Sequence, residues 1–342
     1  MHYELLMPRH WVSWIGLGVL RLFAFLPYPA MLFAGRLIGK LARHLPLRYA
    51  RVARRNMELC LPELSPRERE NLINLHFANL GMGVCESAMC WWSPDERIRA
   101  LSSVEGCEHL DRALQAGRGV ILLTAHFTTI EISARIMNAN RPICALYRPL
   151  KNAVLAAASN RNRIMRARSA IRHDDIRGMV RALRNNEIVW YAPDQSFRKK
   201  GAQMVRFFGV PAATNTGTSR LAQMTGATVL YFSHERLPNG GGYRVVIHPP
   251  NALIPSNDAI ADTEHYNRFI EAQVRRIPDQ YWWIHKRFKG LQAGYPNFYG
   301  TKPNDAAVAS ASASAASGSM AQSKDAAPVD RASAVAAARG SV

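Results

Sequence analysis

A histidine and a glutamate that could act together, His126 and Glu131, follow the apolar run Gly119–Thr124. That run predicts a buried strand, and sites in open α/β sheets form beyond the carboxyl ends of strands. Five residues are about 1.4 helical turns, so Glu131 can return towards the imidazole if His126 precedes the helix. A carboxylate on one ring nitrogen would make the other a general base towards a hydroxyl. An exposed pair at a helix start is the ordinary alternative.

A second polar segment follows the strand predicted over residues 187–192. Asp194 and Gln195 come directly after Pro193 there. Aspartate after proline is usually a turn residue or a helix cap. It could instead face the same strand-end cleft as His126, and the sequence leaves both interpretations open.

Two basic segments could bind an anionic partner. The helix predicted over residues 152–168 carries arginines at 161, 163, 166 and 168, and one of them could stabilise an oxyanion. A solvated face is the usual meaning of such a run. In Pro278–Lys289, aromatic and basic side chains interleave, which suits either nucleic-acid stacking or a membrane headgroup layer.

Motifs for other chemistries are missing from the sequence. It contains no Walker A, G-x-G-x-x-G, G-x-S-x-G or H-E-x-x-H pattern. The five cysteines are odd in number and include no C-x-x-C pair, which argues against a disulfide framework and a zinc site. His265 and His285 have no partner at ligand spacing. We therefore expect neither a metal nor another cofactor.

Strand-like and helix-like runs alternate along the middle of the chain. The predicted strands are 119–124, 142–147, 187–192, 228–232 and 243–248. The predicted helices are 128–138, 152–168, 174–184, 216–224 and 263–276. This alternation predicts an α/β fold with a mixed sheet flanked by helices.

The N-terminal segment Trp11–Gly35 contains a single charged residue, Arg21. As one helix it would be ~37 Å long, against a hydrocarbon core of ~30 Å, so it predicts a membrane helix. Arg21 and the prolines Pro27 and Pro29 oppose a full span, which leaves an interfacial amphipathic helix as the alternative. A helix buried in a soluble protein is the third possibility.

The 342-residue chain has a formal net charge of +19, which points to polyanionic partners. Residues 304–342 carry equal numbers of acids and bases, so the whole excess lies before them. Seven basic residues between Arg36 and Arg55 precede the next acid, which favours anionic lipid and a cytoplasmic location for the chain beyond them. The tail is rich in Ala and Ser, and its composition predicts disorder. We expect an anchor at 1–35, a catalytic domain at 36–303 and a disordered tail at 304–342.

Several motifs together resemble the late acyltransferases of bacterial lipid A biosynthesis over roughly residues 10–295. They are, in order, H-x4-E after a strand, LYRPLKN (146–152), Arg163, IVWYAPDQ (188–195), RFFG (206–209) and PDQYWWIHKRFK (278–289). The resemblance implies a glycerolipid-acyltransferase-like fold with a membrane anchor. It implies transfer of a fatty acyl chain from acyl carrier protein to a hydroxyl of a Kdo-lipid IVA type precursor at the bacterial inner membrane.

The resemblance also implies roles for particular residues. His126 and Glu131 match the catalytic dyad, with Glu131 where many members have aspartate. Arg163 and Asp194 match an arginine and an acid expected to hold the oxyanion or position the substrate. Further contacts with the anionic glycolipid acceptor or the carrier protein are expected from Arg148, Arg166, Arg168, Gln195, His285, Lys286 and Arg287.

Two other functions remain open at this level. A nucleic-acid-binding protein would explain the charge, but neither the N-terminal segment nor the H-x4-E after a strand, so we expect no nucleic-acid partner. An acyltransferase of the same architecture could act on a different lipid, such as an ornithine lipid or a glycerolipid.

Overall fold

The computed structural model describes residues 3–45, 48–147, 152–166, 169–251 and 254–300, excluding the side chains of 3–4 and 160–166. The predicted tail, 304–342, lies outside the described residues. The described helices are α1 Trp11–Phe23, α2 Tyr28–Arg43, α3 Arg48–Cys60, α4 Pro66–Trp92, α5 Asp95–Ala100, α6 Cys107–Gln115, α7 Ile130–Asn140, α8 Ala153–Arg166, α9 Ile176–Arg184, α10 Gly217–Thr225 and α11 Ala259–Arg276. The strands are β1 Ser102–Glu105, β2 Val120–Leu123, β3 Cys144–Tyr147, β4 Ser169–Arg172, β5 Ile188–Tyr191, β6 Ala202–Phe207, β7 Val210–Asn215, β8 Thr228–Arg236 and β9 Tyr243–Ile247.

Seven strands form one mixed sheet in the order β1-β9-β8-β2-β5-β3-β4. The strands from β8 to β4 run parallel, whereas β9 is antiparallel to β8. Every residue of β2 is buried, as expected for a parallel strand covered on both faces. A separate antiparallel hairpin joins β6 to β7. The predicted mixed sheet is confirmed.

Helices cover both faces of the sheet. Alternate β2 residues enter two apolar cores, Ile121 on one face and Leu122 on the other. The Ile121 core includes residues of α9, α10 and α11, and the Leu122 core includes residues of α2, α4 and α7. The five predicted strands and five predicted helices lie where expected, within a few residues of their predicted ends or, for β8, extended at one end.

The N-terminal segment is two helices, so the prediction of one continuous helix is wrong. Helix α1 has 13 residues, α2 has 16, and the chain breaks between them at Ala24–Pro27. Pro27 caps α2 and Pro29 occupies its first turn, where proline disrupts no helical hydrogen bond. Within the described residues, no helix has both the length and the apolar character needed to cross a membrane. The predicted boundary between residues 35 and 36 falls inside α2.

Helices α2 and α4 pack with their backbones in near contact. A Cβ added to Gly39 would lie 2.0 Å from the carbonyl oxygen of Phe77, and one added to Gly81 would lie 2.1 Å from that of Gly35. Only glycine allows this approach. The opposite faces of α1 and α2 expose large apolar side chains, including Val12, Ile15, Leu22 and Phe33.

Candidate active site

Two neighbouring parallel strands bring a histidine and an aspartate together. In the β2–β5 register, Leu123 pairs with Tyr191, so the residues after both strands emerge at the same edge of the sheet. His126 Nδ1 lies 2.5 Å from Asp194 Oδ1. The backbone N–H of His126 also donates to Asp194 Oδ2, at 3.0 Å. Asp194 therefore holds both the ring and the main chain of His126.

The electrostatics of the pair favour a general base. The Asp194 side chain is 1% exposed, and the Tyr281 hydroxyl donates to its Oδ2 at 3.2 Å. Burial alone would raise the pKa of Asp194, but the attraction and hydrogen bonds of His126 outweigh it and lower the pKa. An ionised carboxylate on Nδ1 keeps the proton there and leaves Nε2 as the base. The His126 side chain is 27% exposed, so a substrate can reach it.

Glu131 does not take the predicted place beside the imidazole. It is exposed on the first turn of α7, and within the described part of the chain no hydrogen bond joins it to His126. The reason lies in the segment before α7. The N–H of Thr128 donates to the Gln280 carbonyl at 2.7 Å, and that of Trp282 to the His126 carbonyl at 2.9 Å. This pairing holds His126 outside the helix, with its ring at Asp194.

A cavity of about 480 Å³ begins at His126 and follows α7. Its volume lies within the usual range for small-molecule sites. Ile130, Ala134 and Asn138 recur at a spacing of four along the lining, as do Glu131 and Arg135, so one face of α7 forms this wall. The other lining residues include Cys90, Trp91, Ala145, Leu146, Tyr147, Ser159, Trp190, Gln195 and Phe197. Much of this lining is apolar.

Most of the predicted contacts in Pro278–Lys289 are internal to the protein. His285 Nε2 accepts the Ser196 N–H at 3.1 Å, and burial lowers the pKa of His285 to about 4. Arg287 is only 3% exposed and donates to the Ala213 carbonyl and to Thr214 Oγ1. The ammonium of Lys286 lies 5.5 Å from the centre of the Tyr299 ring. Two hydrogen bonds thus hold the Arg287 guanidinium inside the protein, and its contact with a substrate stays a prediction.

The other predicted site residues divide into three groups. Gln195 is half-buried and lines the cavity beside Asp194. Arg163 and Arg166 belong to α8, but their side chains are outside the described part of the structure. Arg148 and Arg168 lie outside the described residues altogether. Across the described ranges, no three His, Cys, Asp or Glu side chains group as metal ligands.

Two features of the site were not predicted from the sequence. The contact of Asp194 with His126 depends on β5 lying beside β2, and strand order cannot be read from apolar runs. Arg135, a buried cation in the cavity wall, shares its face of α7 with Glu131. Residues four apart lie on the same face of a helix, so the spacing between Glu131 and Arg135 could have predicted that both line the site.

Comparison with known proteins gives the family of this chain. Residues 1–290 match the family model for bacterial lipid A biosynthesis acyltransferases. The lipid A biosynthesis palmitoleoyltransferase of Escherichia coli K12 is 39% identical over 297 residues, which cover 86% of this chain and 97% of the relative. The lauroyltransferase of the same organism is 38% identical, over 86% and 97%. A lipid A biosynthesis acyltransferase of Haemophilus influenzae is 35% identical, over 83% and 92%. The chain therefore belongs to the bacterial lipid A biosynthesis acyltransferase family.

Proposed function

We propose that this protein transfers a fatty acyl chain from acyl carrier protein to a hydroxyl of a 3-hydroxyacyl chain on a lipid A precursor of the Kdo-lipid IVA type. The observation that carries the proposal is the His126–Asp194 pair, whose imidazole lines a cavity with both apolar and polar walls. The names of two relatives, a lauroyltransferase and a palmitoleoyltransferase, support a fatty acyl chain as the transferred group.

In the proposed mechanism, His126 Nε2 removes the proton of the acceptor hydroxyl. Asp194 holds the ring and stabilises the imidazolium that forms. The alkoxide attacks the thioester carbonyl, and the tetrahedral intermediate expels the carrier thiolate as the ester forms. The imidazolium then returns its proton to the thiolate, so the enzyme is regenerated without a covalent intermediate.

The remaining predicted residues take supporting roles in this proposal. Gln195 adjoins Asp194 at the cavity, where its side-chain amide can donate to the developing oxyanion. Arg163 stays the second candidate for that role. Glu131, exposed in the cavity wall, is assigned to the acceptor hydroxyl rather than to the imidazole.

The fatty acyl chain is proposed to occupy the cavity along α7. Ile130, Ala134, Leu146 and Trp190 provide apolar contacts on several of its sides. Burying each methylene there would contribute about 0.8 kcal/mol. The thioester carbonyl would then lie at the His126 end, where the reaction takes place.

Helices α1 and α2 are proposed to lie in the interface of the inner membrane, with the catalytic domain on the cytoplasmic side. Their exposed apolar side chains alternate with the exposed cations Arg21, Arg36 and Lys40, a pattern that suits an anionic lipid surface. The Asn152 amide donates to Ser13 Oγ at 2.8 Å, which joins α1 to the start of α8. A membrane-embedded acceptor would thus arrive beside a helix that lines the cavity.

The test is mass spectrometry of lipid A from a host that lacks its own enzyme of this type. The wild-type gene is expected to add one secondary acyl chain, and His126→Ala at equal protein level is expected to add none. Addition by both proteins would disprove the role of His126. If lipid A were unchanged and an ornithine lipid or glycerolipid were acylated instead, the proposal that a lipid A precursor is the acceptor would be wrong.

A further inference from the structure

The segment of residues 280–282 contacts both members of the His126–Asp194 pair. The Tyr281 hydroxyl donates to Asp194 Oδ2 at 3.2 Å. The Trp282 N–H donates to the His126 carbonyl at 2.9 Å. The segment also forms a short antiparallel bridge with the residues around His126. Its position therefore affects how the imidazole and the carboxylate meet.

The side chain of Gln280 joins this segment to the end of strand β8. Its Oε1 accepts the N–H of Arg236 at 2.8 Å, and its Nε2 donates to the carbonyl of Arg236 at 2.9 Å. Arg236 is the last residue of β8, which lies beside β2 in the central sheet. A side-chain amide can bond a main-chain N–H and C=O at once, because it carries both an acceptor and a donor. Gln280 is buried, so water competes little for either bond.

The strand end to which Gln280 is bonded is itself firmly held. The Arg236 guanidinium makes two hydrogen bonds to the carboxylate of Glu86 on α4, and both side chains are buried. The hydroxyl of Tyr243 on β9 donates to the same carboxylate at 2.8 Å. A buried network whose members are all hydrogen-bonded fixes one arrangement of the groups it joins. Through Gln280, the 280–282 segment is tied to this fixed point.

The same part of β8 also holds the segment that contains His126. The buried ring of His234 donates from Nε2 to the Ala125 carbonyl at 3.3 Å, and its Nδ1 accepts the Thr129 hydroxyl at 2.8 Å. Ala125 and Thr129 lie on either side of His126 in the chain. Strand β8 is therefore bonded to the segment that contains His126 and, through Gln280, to the segment that contacts it.

We infer that Gln280 is a positioning residue for acyl transfer: its amide keeps the 280–282 segment on β8, and this segment holds the catalytic pair in its reactive arrangement. The inference rests on the proposed function, because it takes His126 and Asp194 as that pair. Gln280 does not line the cavity described above. Its loss is therefore expected to lower kcat without changing the KM of the acceptor.

The experiment compares kcat and the acceptor KM of the full-length wild-type protein with those of Gln280→Met, which has a side chain of similar length without the amide. We expect kcat to fall by about 10²-fold, the effect of a displacement of about 1 Å near the reacting groups. The matched control is Asn267→Leu on α11, which removes another buried amide, one that donates to the Arg206 carbonyl at 2.7 Å. It should destabilise the protein in urea to a similar degree and leave kcat unchanged.

A double-variant cycle with Tyr281→Phe tests whether Gln280 acts through its neighbour. If Gln280 keeps the segment in place, the Tyr281 hydroxyl no longer reaches Asp194 in the Gln280→Met protein. Tyr281→Phe should then lower kcat less in that protein than in wild type, since the two residues are coupled. Fully additive losses of kcat would overturn the inference.

A folded Gln280→Met protein with wild-type kcat would also overturn it, as would an equal loss of kcat in Asn267→Leu. If Gln280→Met does not fold, Gln280→Asn keeps an amide that is one methylene shorter and cannot reach both main-chain groups of Arg236 in the same way. Wild-type kcat in that variant has the same meaning. Failure of the proposed function would look different, because the wild-type protein would then transfer no acyl chain, or His126→Ala would transfer as much as wild type.

Discussion

Asp194 contacts His126 twice, through the ring nitrogen Nδ1 and through the main-chain N–H. The two residues are 68 positions apart and come from the ends of neighbouring parallel strands. One carboxylate therefore sets the position, the orientation and the protonation of the base. This geometry makes Asp194 a more sensitive position than its place in a loop would indicate.

Asp194→Asn is expected to lower kcat by about 10⁴-fold with little change in the acceptor KM, because the amide no longer keeps the proton on Nδ1. Steady-state kinetics with purified protein will measure both constants. A variant with near wild-type kcat would contradict the proposed base. Asp194→Glu serves as the control for charge, and we expect it to restore part of the rate.

Glu131→Gln is expected to impair transfer through the acceptor KM while leaving the pH profile of kcat/KM unchanged. The reason is that Glu131 lies in the cavity wall and, among the described residues, makes no hydrogen bond or ion pair with the imidazole. If Glu131 instead supported His126 directly, its loss would alter the pH profile as the loss of Asp194 does. The pH profiles of the two variants, measured side by side, decide between these roles.

Gly39→Ala is expected to destabilise the protein by about 1–3 kcal/mol, because the new methyl group would overlap the Phe77 carbonyl oxygen and force α2 away from α4. Gly16→Ala on α1 is the matched control, since no described atom beyond the backbone of its own helix lies within 4 Å of its new methyl group. The free energy of unfolding in urea measures both. Equal effects of the two substitutions would show that the close packing of α2 on α4 contributes little.

Ile15→Asp and Phe33→Asp are expected to weaken binding to vesicles that contain phosphatidylglycerol. Each side chain is about two-thirds exposed or more on the proposed membrane face, and its burial in lipid is worth about 1.5–3 kcal/mol, or roughly 10-fold or more in affinity. Met224→Asp, equally accessible on α10, is the control and should bind like wild type. Binding unchanged in all three would place the membrane contact elsewhere.

The stability of the protein is expected to fall as the pH drops from 6.5 towards 4. Burial lowers the pKa of His234 to about 4, so the unfolded chain binds this proton more readily than the folded protein across that interval. His234→Gln should reduce this pH dependence, since its amide can still hydrogen-bond Thr129. Urea titrations at pH 7.5 and 5.0 provide the measurement. An equal loss of stability in both proteins would assign the effect to other groups.

The sequence predicted those parts of the fold whose signal is local. Strands β2 and β5 are buried on nearly every residue and therefore read as unbroken apolar runs. The prediction of one helix over Trp11–Gly35 missed the break between α1 and α2, although Pro27 and Pro29 lie at that break. Apolar content was given more weight there than helix-terminating residues.

The sequence predicted the individual residues of the site, but not which carboxylate contacts His126. His126, Glu131 and Asp194 were all identified as candidates, and the choice between Glu131 and Asp194 as partner depended on the order of strands in the sheet. Arg287 was expected at the substrate because aromatic and basic side chains interleave in Pro278–Lys289. Its burial over the Phe207 ring follows from tertiary packing, which no local pattern in the chain reports.

The order of strands also constrains how the protein acquires activity. Strand β5 lies between β2 and β3, although β3 and β4 precede it in the chain. Asp194 is the third residue after β5, so the base has no carboxylate partner until that strand has inserted into the centre of the sheet. During synthesis, a ribosome-bound chain that ends before residue 188 can form neither the strand nor the pair. The return of activity on refolding therefore reports completion of the central sheet, and not merely collapse of the chain.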